Sequence, residues 1–199
     1  MRIVAFGDSI TEGKAGGITQ EQNWLFLLGK KLGPRFELFN AGVGGNSARE
    51  AMARYERDVL AYEPDAILLE FGGNNNDPRN PQRRVDDAEF RQHLLDFRSR
   101  LPKNCKVVMI TFPPIIDEQH VWRTLIPGGK VDDQLQSQRQ IVRGFAAENH
   151  WPLLDLYRLM RDRRYELILP DGVHLNPAGH AFFAEAIYQL IKQEGWLEQ

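Results

Sequence analysis

Two short segments near opposite ends of the chain contain side chains that together could carry out acyl transfer. Ser9 follows Gly7-Asp8 directly after an apolar run, and His174 follows Asp171 by three residues. A histidine that removes the proton of a serine hydroxyl makes it a nucleophile, and a carboxylate beside the histidine fixes its tautomer and stabilises its protonated form. Since Gly, Asp and Ser are also ordinary turn residues, this interpretation requires oxyanion donors elsewhere in the chain.

Two further segments could supply those donors. The glycine-rich stretch at 40–47 follows a predicted strand and opens a predicted helix, where backbone N–H groups can approach an anion. The same stretch has a structural interpretation, a tight turn followed by a capping box from Ser47 to Glu50, and one turn can serve both purposes. Asn74 follows another predicted strand and carries a side-chain amide that can donate to an oxyanion, although Gly and Asn beside Pro78 also describe any turn.

Composition and charge exclude several other classes of function. The chain is 42% hydrophobic and has a formal net charge of −2 with scattered basic residues, so we expect no nucleic-acid partner. No apolar run approaches the ~18 residues of a membrane span, and Met1-Arg2 leads directly into a strand, so we expect a cytoplasmic protein with no membrane insertion. The glycine-rich turn lacks the Rossmann and P-loop spacings, which disfavours nucleotide binding.

Cysteine and histidine usage gives no sign of a cross-link or a metal centre. Cys105 is the single cysteine, which excludes an intramolecular disulfide, and its place before an apolar run favours a packing role at a strand edge. Asp171 and His174 lack further ligands at suitable spacing, so we expect no metal.

The hydrophobic pattern alternates between strand-like and helix-like segments. Strands are predicted at 3–6, 35–40, 66–71, 106–111 and 153–156. Helices are predicted at 20–32, 46–61, 87–101, 132–148 and 177–192. This alternation implies parallel strands joined by right-handed crossovers, hence a single-domain, three-layer α/β/α fold over residues 1–199. The long irregular stretch at 112–130 predicts a binding loop, within which His120 is interpreted as a polar loop residue.

The order of these motifs resembles the SGNH (GDSL) hydrolases over about residues 3–183. The resemblance rests on Gly-Asp-Ser-Ile at 7–10, the glycine-rich turn, Gly-x-Asn ending at Asn74, and Asp-x-x-His ending at His174. It implies a flavodoxin-like, five-stranded parallel sheet in the order 2-1-3-4-5. It also implies that Ser9 is the nucleophile, that His174 is the general base oriented by Asp171, and that Gly45 and Asn74 donate to the oxyanion together with the Ser9 N–H.

One position departs from the family pattern. The family usually has Asp after the asparagine of the third motif, whereas this chain has Asn75. The departure leaves open a shifted alignment in which Asn75, rather than Asn74, donates to the oxyanion.

Short segments at 110–114, 154–160 and 171–175 are similar to the isoamyl acetate-hydrolysing esterase group within the family. This similarity implies a small-molecule substrate, a short-chain and especially acetyl ester, and no cofactor. Phe112, Trp122 and Ile126 are candidates for the acyl pocket because they lie in or at the start of the long loop, although apolar loop residues also anchor loops to a core. The alternatives are a carbohydrate O-deacetylase, a thioesterase or an arylesterase using the same triad, and, from another class, a non-catalytic binding protein.

Overall fold

A five-stranded parallel sheet forms the centre of the protein in the computed structural model, which describes residues 1–198. The strands are β1 (Arg2–Gly7), β2 (Glu37–Gly42), β3 (Ala66–Glu70), β4 (Lys106–Ile110) and β5 (Leu153–Leu154). Their order in the sheet is β2-β1-β3-β4-β5, which confirms the predicted topology. The register pairs Gly7, the last residue of β1, with Gly42 and Glu70, the last residues of β2 and β3. The carboxyl ends of the three strands therefore meet at one edge of the sheet.

Helices cover both faces of this sheet. They are α1 (Ser9–Glu12), α2 (Trp24–Leu32), α3 (Ala48–Asp58), α4 (Asp87–Ser99), α5 (Val131–Gln134), α6 (Gln136–Glu148), α7 (Leu156–Met160), α8 (Arg164–Leu167) and α9 (Pro177–Gln193). Covered strands read as continuous apolar runs because side chains on both faces are buried. In β1, Ile3 and Ala5 belong to the core on one face, and Val4 and Phe6 belong to the core on the other.

The two cores differ in their helices. Apolar residues of α2 and α9 pack on the first face, where the rings of Trp24 and Phe183 stack with centroids 4.4 Å apart. Residues of α3, α4 and α6 fill the second face, where Phe6 packs edge-on against Phe71 at 5.0 Å. Burial of each large core side chain contributes about 1.5–3 kcal/mol, so packing on both faces stabilises the sheet from whose carboxyl edge the loops extend.

The element boundaries differ from the predictions where capping residues set them. A 3-10 turn occupies Gln20–Gln22, and α2 begins only after Asn23, whose side chain accepts from the N–H of Leu25. The predicted helix at 132–148 is two helices that meet at Leu135. The short helices α1, α7 and α8 were not predicted. No helix within residues 1–198 is both long enough and apolar enough to cross a bilayer.

Candidate active site

The turn after β1 places Ser9 at the carboxyl edge of the sheet. Asp8 precedes α1 as its N-cap, and its Oδ1 accepts from the N–H of Ile10 at 3.0 Å. The turn is so tight that a Cβ atom at Gly7 would lie 1.9 Å from Thr11 Oγ1 and 2.7 Å from the carbonyl oxygen of Glu70. Glycine is therefore required at position 7, and the close packing fixes the direction of the Ser9 side chain.

His174 lies beside Ser9 although 165 residues separate them in the chain. Its Nε2 is 3.0 Å from Ser9 Oγ, and its Nδ1 is 2.7 Å from Asp171 Oδ2. The N–H groups of Val173 and His174 both donate to Asp171 Oδ1 at 3.0 Å. Partial burial raises the pKa of Asp171, but the hydrogen bonds from the His174 ring and from these N–H groups outweigh it and lower the pKa to about 2. The structure thus brings together a hydroxyl, an imidazole and a carboxylate that stays ionised.

The start of α9 holds the loop that carries His174. Asn176 caps this helix by accepting from the N–H of Gly179 at 3.0 Å, and Pro177 is its first residue, as the sequence predicts. One turn later, Nδ1 of the buried His180 accepts from the N–H of Trp24 at 3.2 Å. Burial and the neighbouring His174 lower the pKa of His180 to about 4, so its ring is neutral and serves as an acceptor between α9 and α2.

The predicted oxyanion donors lie on two adjoining turns. Asn74 donates from Nδ2 to Asp8 Oδ2 at 3.0 Å and to the carbonyl oxygen of Asn46 at 3.3 Å. The turn before Asn46 contains Gly45 in the left-handed region, with φ of 75°. Among the described residues, none accepts a hydrogen bond from the backbone N–H of Ser9 or of Gly45. The N–H groups of Ser9 and Gly45 thus have no acceptor there, whereas both hydrogens of the Asn74 amide are engaged.

Side chains brace the glycine-rich turn from both sides. Glu12 Oε2 accepts from the N–H of Gly44 at 3.1 Å, and Arg83 Nη2 donates to the carbonyl oxygen of Gly45 at 3.0 Å. Ser47 and Glu50 form the predicted capping box at the start of α3. The turn therefore both caps a helix and presents a free N–H, as the two interpretations of its sequence allowed.

A pair of buried carboxyl groups lies beneath this site. Asp8 and Glu70 are both fully buried, and Glu70 Oε2 accepts from the Thr11 hydroxyl at 3.1 Å. Burial raises the pKa of Asp8 to about 6, even though the Ile10 N–H, Glu70, His174 and Asn74 act to lower it. Burial and the neighbouring Asp8 carboxylate raise the pKa of Glu70 well above its usual value, so Glu70 is the protonated member of the pair.

Asn75 faces away from Ser9. It is fully buried, its Oδ1 accepts from the N–H of Ala48 at 2.9 Å, and its Nδ2 donates to Gln138 Oε1 at 2.7 Å. Asn74 lines the cavity beside Ser9, and Asn75 does not. The geometry therefore favours Asn74 over the shifted alignment.

A cavity of about 120 Å³ lies directly beside Ser9 and Asn74. Its other lining residues come from the loops after β3 and β4 and from the His174 loop: Gly73, Arg79, Phe112, Ile115, His120, Val121, Trp122, Leu135, Val173 and His174. Of the three candidate pocket residues, Phe112 and Trp122 line this cavity, whereas Ile126 lines a separate depression with Pro78 and Pro127. A larger groove of about 930 Å³ between α2 and β2 contains neither serine nor histidine.

His120 has a more specific place than the sequence indicated. It is buried, its Nδ1 accepts from the N–H of Trp122 at 3.1 Å, and its ring meets that of Trp122 edge-on at 4.9 Å. Burial lowers its pKa, so the ring is neutral and its Nε2 carries the proton. No sequence signal identified this residue beyond its position two residues before Trp122.

Within residues 1–198, no group of three or more His, Cys, Asp or Glu side chains is arranged to hold a metal ion.

The fold, and the position of Ser9 at the carboxyl edge of the sheet, indicate the class of this protein. The profile of the GDSL-like lipase/acylhydrolase family matches residues 5–182, and the chain belongs to this family of hydrolytic enzymes. The resemblance drawn from the four motifs is therefore confirmed.

The chain is also similar to two curated relatives and to one solved structure. It is 27% identical over 213 residues to the isoamyl acetate-hydrolyzing esterase 1 homolog of Rattus norvegicus, covering 97% of this chain and 82% of that protein. It is 25% identical over 223 residues to an acetylxylan esterase of Xylanibacter ruminicola, covering 96% of this chain and 43% of that protein. The crystal structure of a lipase/acylhydrolase from Enterococcus faecalis matches with a TM-score of 0.80 and 22% identity, covering 97% of this chain and 96% of that one, which shows a common fold.

Proposed function

We propose that this protein is a serine esterase that hydrolyses short-chain acyl esters, above all acetyl esters. The observation that carries the proposal is the continuous line of hydrogen bonds from Ser9 Oγ to His174 Nε2 at 3.0 Å and from His174 Nδ1 to Asp171 Oδ2 at 2.7 Å. A structural role does not require a hydroxyl, an imidazole and an ionised carboxylate in this order. A nucleophile activated by a general base does.

In the first half of the reaction, His174 Nε2 takes the proton of Ser9 as Oγ bonds to the carbonyl carbon of the ester. The carbonyl oxygen becomes negative, and the bond to the alcohol oxygen breaks as His174 returns the proton to that oxygen. In the second half, water gives a proton to His174 and attacks the acyl-serine. The acid leaves, and the proton returns to Ser9. Asp171 holds the imidazole in the tautomer that has its proton on Nδ1 and stabilises the charged form.

Three donors would receive the negative oxygen: the N–H groups of Ser9 and Gly45 and the side-chain amide of Asn74. The two N–H groups have no acceptor among the described residues. The bond from Asn74 Nδ2 to the Asn46 carbonyl is long at 3.3 Å, so that hydrogen is the one available to a bound oxyanion, while Asp8 keeps the amide in place.

The size of the cavity supports a short acyl group. About 120 Å³ is far below the roughly 300–1,000 Å³ of pockets that enclose drug-sized ligands. Phe112 and Trp122 close it with buried aromatic rings. The two curated relatives are named for esters of acetic acid, isoamyl acetate and acetylxylan, which share the acetyl group and differ in the alcohol. A carbohydrate O-deacetylase is therefore the second candidate.

The test compares hydrolysis of p-nitrophenyl acetate, butyrate and octanoate by the wild type and by Ser9→Ala at pH 7 to 8. Ser99→Ala is the matched control, because Ser99 lies at the exposed end of α4 and its hydroxyl donates to the carbonyl oxygen of Asp96, far from the Ser9 cavity. We expect activity that falls with acyl length, is lost in Ser9→Ala and is unchanged in Ser99→Ala. Full activity in Ser9→Ala would contradict the proposal.

A second set of substrates separates the alternatives. Isoamyl acetate, acetylated xylan and an acyl-CoA are compared by kcat/KM under the same conditions. Preference for acetylated xylan would favour the deacetylase, and preference for the acyl-CoA would favour a thioesterase. If none of the esters is hydrolysed by the wild type, the proposal of a short-chain esterase fails.

A further inference from the structure

Asn75 is buried and anchored by several hydrogen bonds in the loop after β3. The residue is fully buried, its carbonyl oxygen accepts from the N–H of Val85 at 2.9 Å, and both ends of its side-chain amide are engaged. Asn74, directly before it, lines the cavity beside Ser9. The position of the Asn74 amide therefore depends on how the Asn75 side chain is held.

The Asn75 side chain is part of a chain of hydrogen bonds that crosses four segments. The N–H of Ala48, the first residue of α3, donates to Asn75 Oδ1 at 2.9 Å, and Asn75 Nδ2 donates to Gln138 Oε1 at 2.7 Å. Gln138, which is 1% exposed, donates in turn from Nε2 to Asp87 Oδ1, at the first residue of α4. The chain links the loop after β3 to the starts of α3 and α4 and to α6.

The two ends of this chain fix its direction. A backbone N–H can only donate and an ionised carboxylate can only accept. Since Ala48 donates at one end and Asp87 accepts at the other, each of the two amides must receive a hydrogen bond on its oxygen and give one from its nitrogen. Asn75 and Gln138 satisfy this requirement with no polar atom left over.

We propose that Asn75, Gln138 and Asp87 form a one-directional hydrogen-bond chain that positions Asn74 for the reaction and requires an amide, not a carboxylate, at position 75. The inference rests on the proposed function, in which Asn74 donates to the oxyanion. Asn75 and Gln138 are positioning residues, because they contact neither Ser9 nor the cavity. Ala48 follows the glycine-rich turn closely, so the same chain also ties that turn to the Asn74 loop.

A carboxylate at position 75, which is the family's usual residue, conflicts with this chain. Its second oxygen would face Gln138 Oε1, so two buried acceptors would meet with no proton between them. Rotating the Gln138 amide by 180° would satisfy the carboxylate but would turn Oε1 toward Asp87. Two acceptors would then face each other at Asp87 instead of at position 75. Asp87→Asn removes it, because the new amide can donate to the rotated Gln138.

The experiment compares Asn75→Asp, Asp87→Asn and the double variant, with Asn76→Asp as the matched control. Asn76 is the next residue in the same loop, and it lines the separate depression that contains Ile126 instead of the Ser9 cavity. We expect Asn75→Asp to lower kcat by about 10- to 100-fold with little change in KM, and Asp87→Asn and Asn76→Asp to stay within about threefold of the wild type. The double variant should recover to within about threefold of Asp87→Asn.

Thermal unfolding of the same four proteins gives a readout that does not need an ester. The midpoint should fall by about 3–10 °C in Asn75→Asp and return in the double variant. If the wild type hydrolyses no ester, this cycle still tests the hydrogen-bond chain, and the failure lies with the proposed function. If Ser9-dependent activity is present but Asn75→Asp matches the wild type, or the double variant is no better than Asn75→Asp, the inference is wrong.

A second pair covers the case in which Asn75→Asp yields no folded protein. Gln138→Glu keeps an acceptor for Asn75 and places its other carboxylate oxygen against Asp87. We expect this variant to lose activity and thermal stability and Asp87→Asn to restore both, because the amide introduced at position 87 would donate to the new carboxylate. Equal loss with and without Asp87→Asn would overturn the chain.

Discussion

Asn74 donates from Nδ2 to Asp8 Oδ2 at 3.0 Å, which joins the loop after β3 to the residue directly before Ser9. The acceptor is fully buried, and its other oxygen accepts from the N–H of Ile10 at the start of α1. Both oxygens of Asp8 are thus used to hold backbone or amide groups around Ser9. One carboxyl group thus holds both the proposed nucleophile and the proposed oxyanion donor in position, and variants of the site can be designed around it.

Replacing Asn74 by alanine removes the proposed side-chain donor and leaves Ser9, His174 and Asp171 in place. We expect kcat on p-nitrophenyl acetate to fall by about 10²–10³-fold, because a donor to the oxyanion acts mainly in the transition state. Asn76→Ala serves as the control and should keep wild-type kcat. Near-wild-type turnover in Asn74→Ala would show that this amide does not stabilise the oxyanion.

Asp171→Asn tests the partner of His174. The neutral amide lacks the negative charge that stabilises a protonated imidazole. We therefore expect kcat at pH 7 to fall by about 10²–10⁴-fold with KM nearly unchanged. The pKa of about 2 means that the wild-type carboxylate is ionised at every pH above about 4. Its contribution to stability is therefore present above pH 3.8, the unfolded value, and is lost only as the pH falls toward 2. Circular dichroism at pH 7 should show an intact fold, and a kcat within about threefold of the wild type would refute the assignment.

Glu70→Gln changes how stability depends on pH. The folded-state pKa of Glu70 is raised above 4.5, so the protonated carboxyl stabilises the fold at lower pH and that contribution is lost as the pH rises toward the folded pKa. Glutamine has no proton to lose. We therefore expect the unfolding free energy of Glu70→Gln, relative to the wild type, to increase between pH 5 and pH 8, measured by urea denaturation. Glu56→Gln, at an exposed glutamate, is the control, and parallel pH profiles for Glu70→Gln and the wild type would count against a protonated Glu70.

Phe112→Leu tests the acyl pocket. The Phe112 ring lies so close to Gly73 that a Cβ atom there would be 2.0 Å from Phe112 Cε2, so a smaller side chain opens space directly beside Asn74. We expect the ratio of kcat/KM for octanoate to that for acetate to rise by about 3- to 10-fold, since each buried CH₂ contributes about 0.8 kcal/mol. Ile126→Ala, outside the cavity, should leave the ratio unchanged. Equal ratios in the wild type and Phe112→Leu would place the acyl group elsewhere.

The sequence was sufficient for the sheet and for the four motifs at its edge. Continuous apolar runs separated by amphipathic segments indicate a parallel sheet whatever the details of packing, and the predicted order of strands is the observed one. Local capping rules also predicted where α3 and α9 begin, since Ser47 and Asn176 cap these helices as expected. These features depend on neighbouring residues or on periodicity, both of which a single sequence displays.

Features that depend on register or on distant contacts were not accessible in this way. Glu70 meets Asp8 only because β3 pairs with β1 so that Glu70 lies opposite Gly7. The path of the loop that contains His120 is set partly by the N–H of Ile116, which donates to the carbonyl oxygen of Gly172 in the His174 loop at 2.9 Å. Neither contact has a signal in local residue types, so the buried acid pair and the role of His120 in the cavity emerge only from the folded chain.

The wide separation of Ser9 and His174 along the chain bears on when the protein can begin to act. As the polypeptide leaves the ribosome, the segments that form β1, β2 and β3 emerge first and can present the serine long before the histidine has been made. The helix α9 must then pack against α2, where Trp24 donates to His180, before the loop with His174 is seated. Hydrolysis by the proposed pair is therefore withheld from the nascent chain and begins only once α9 has emerged and docked.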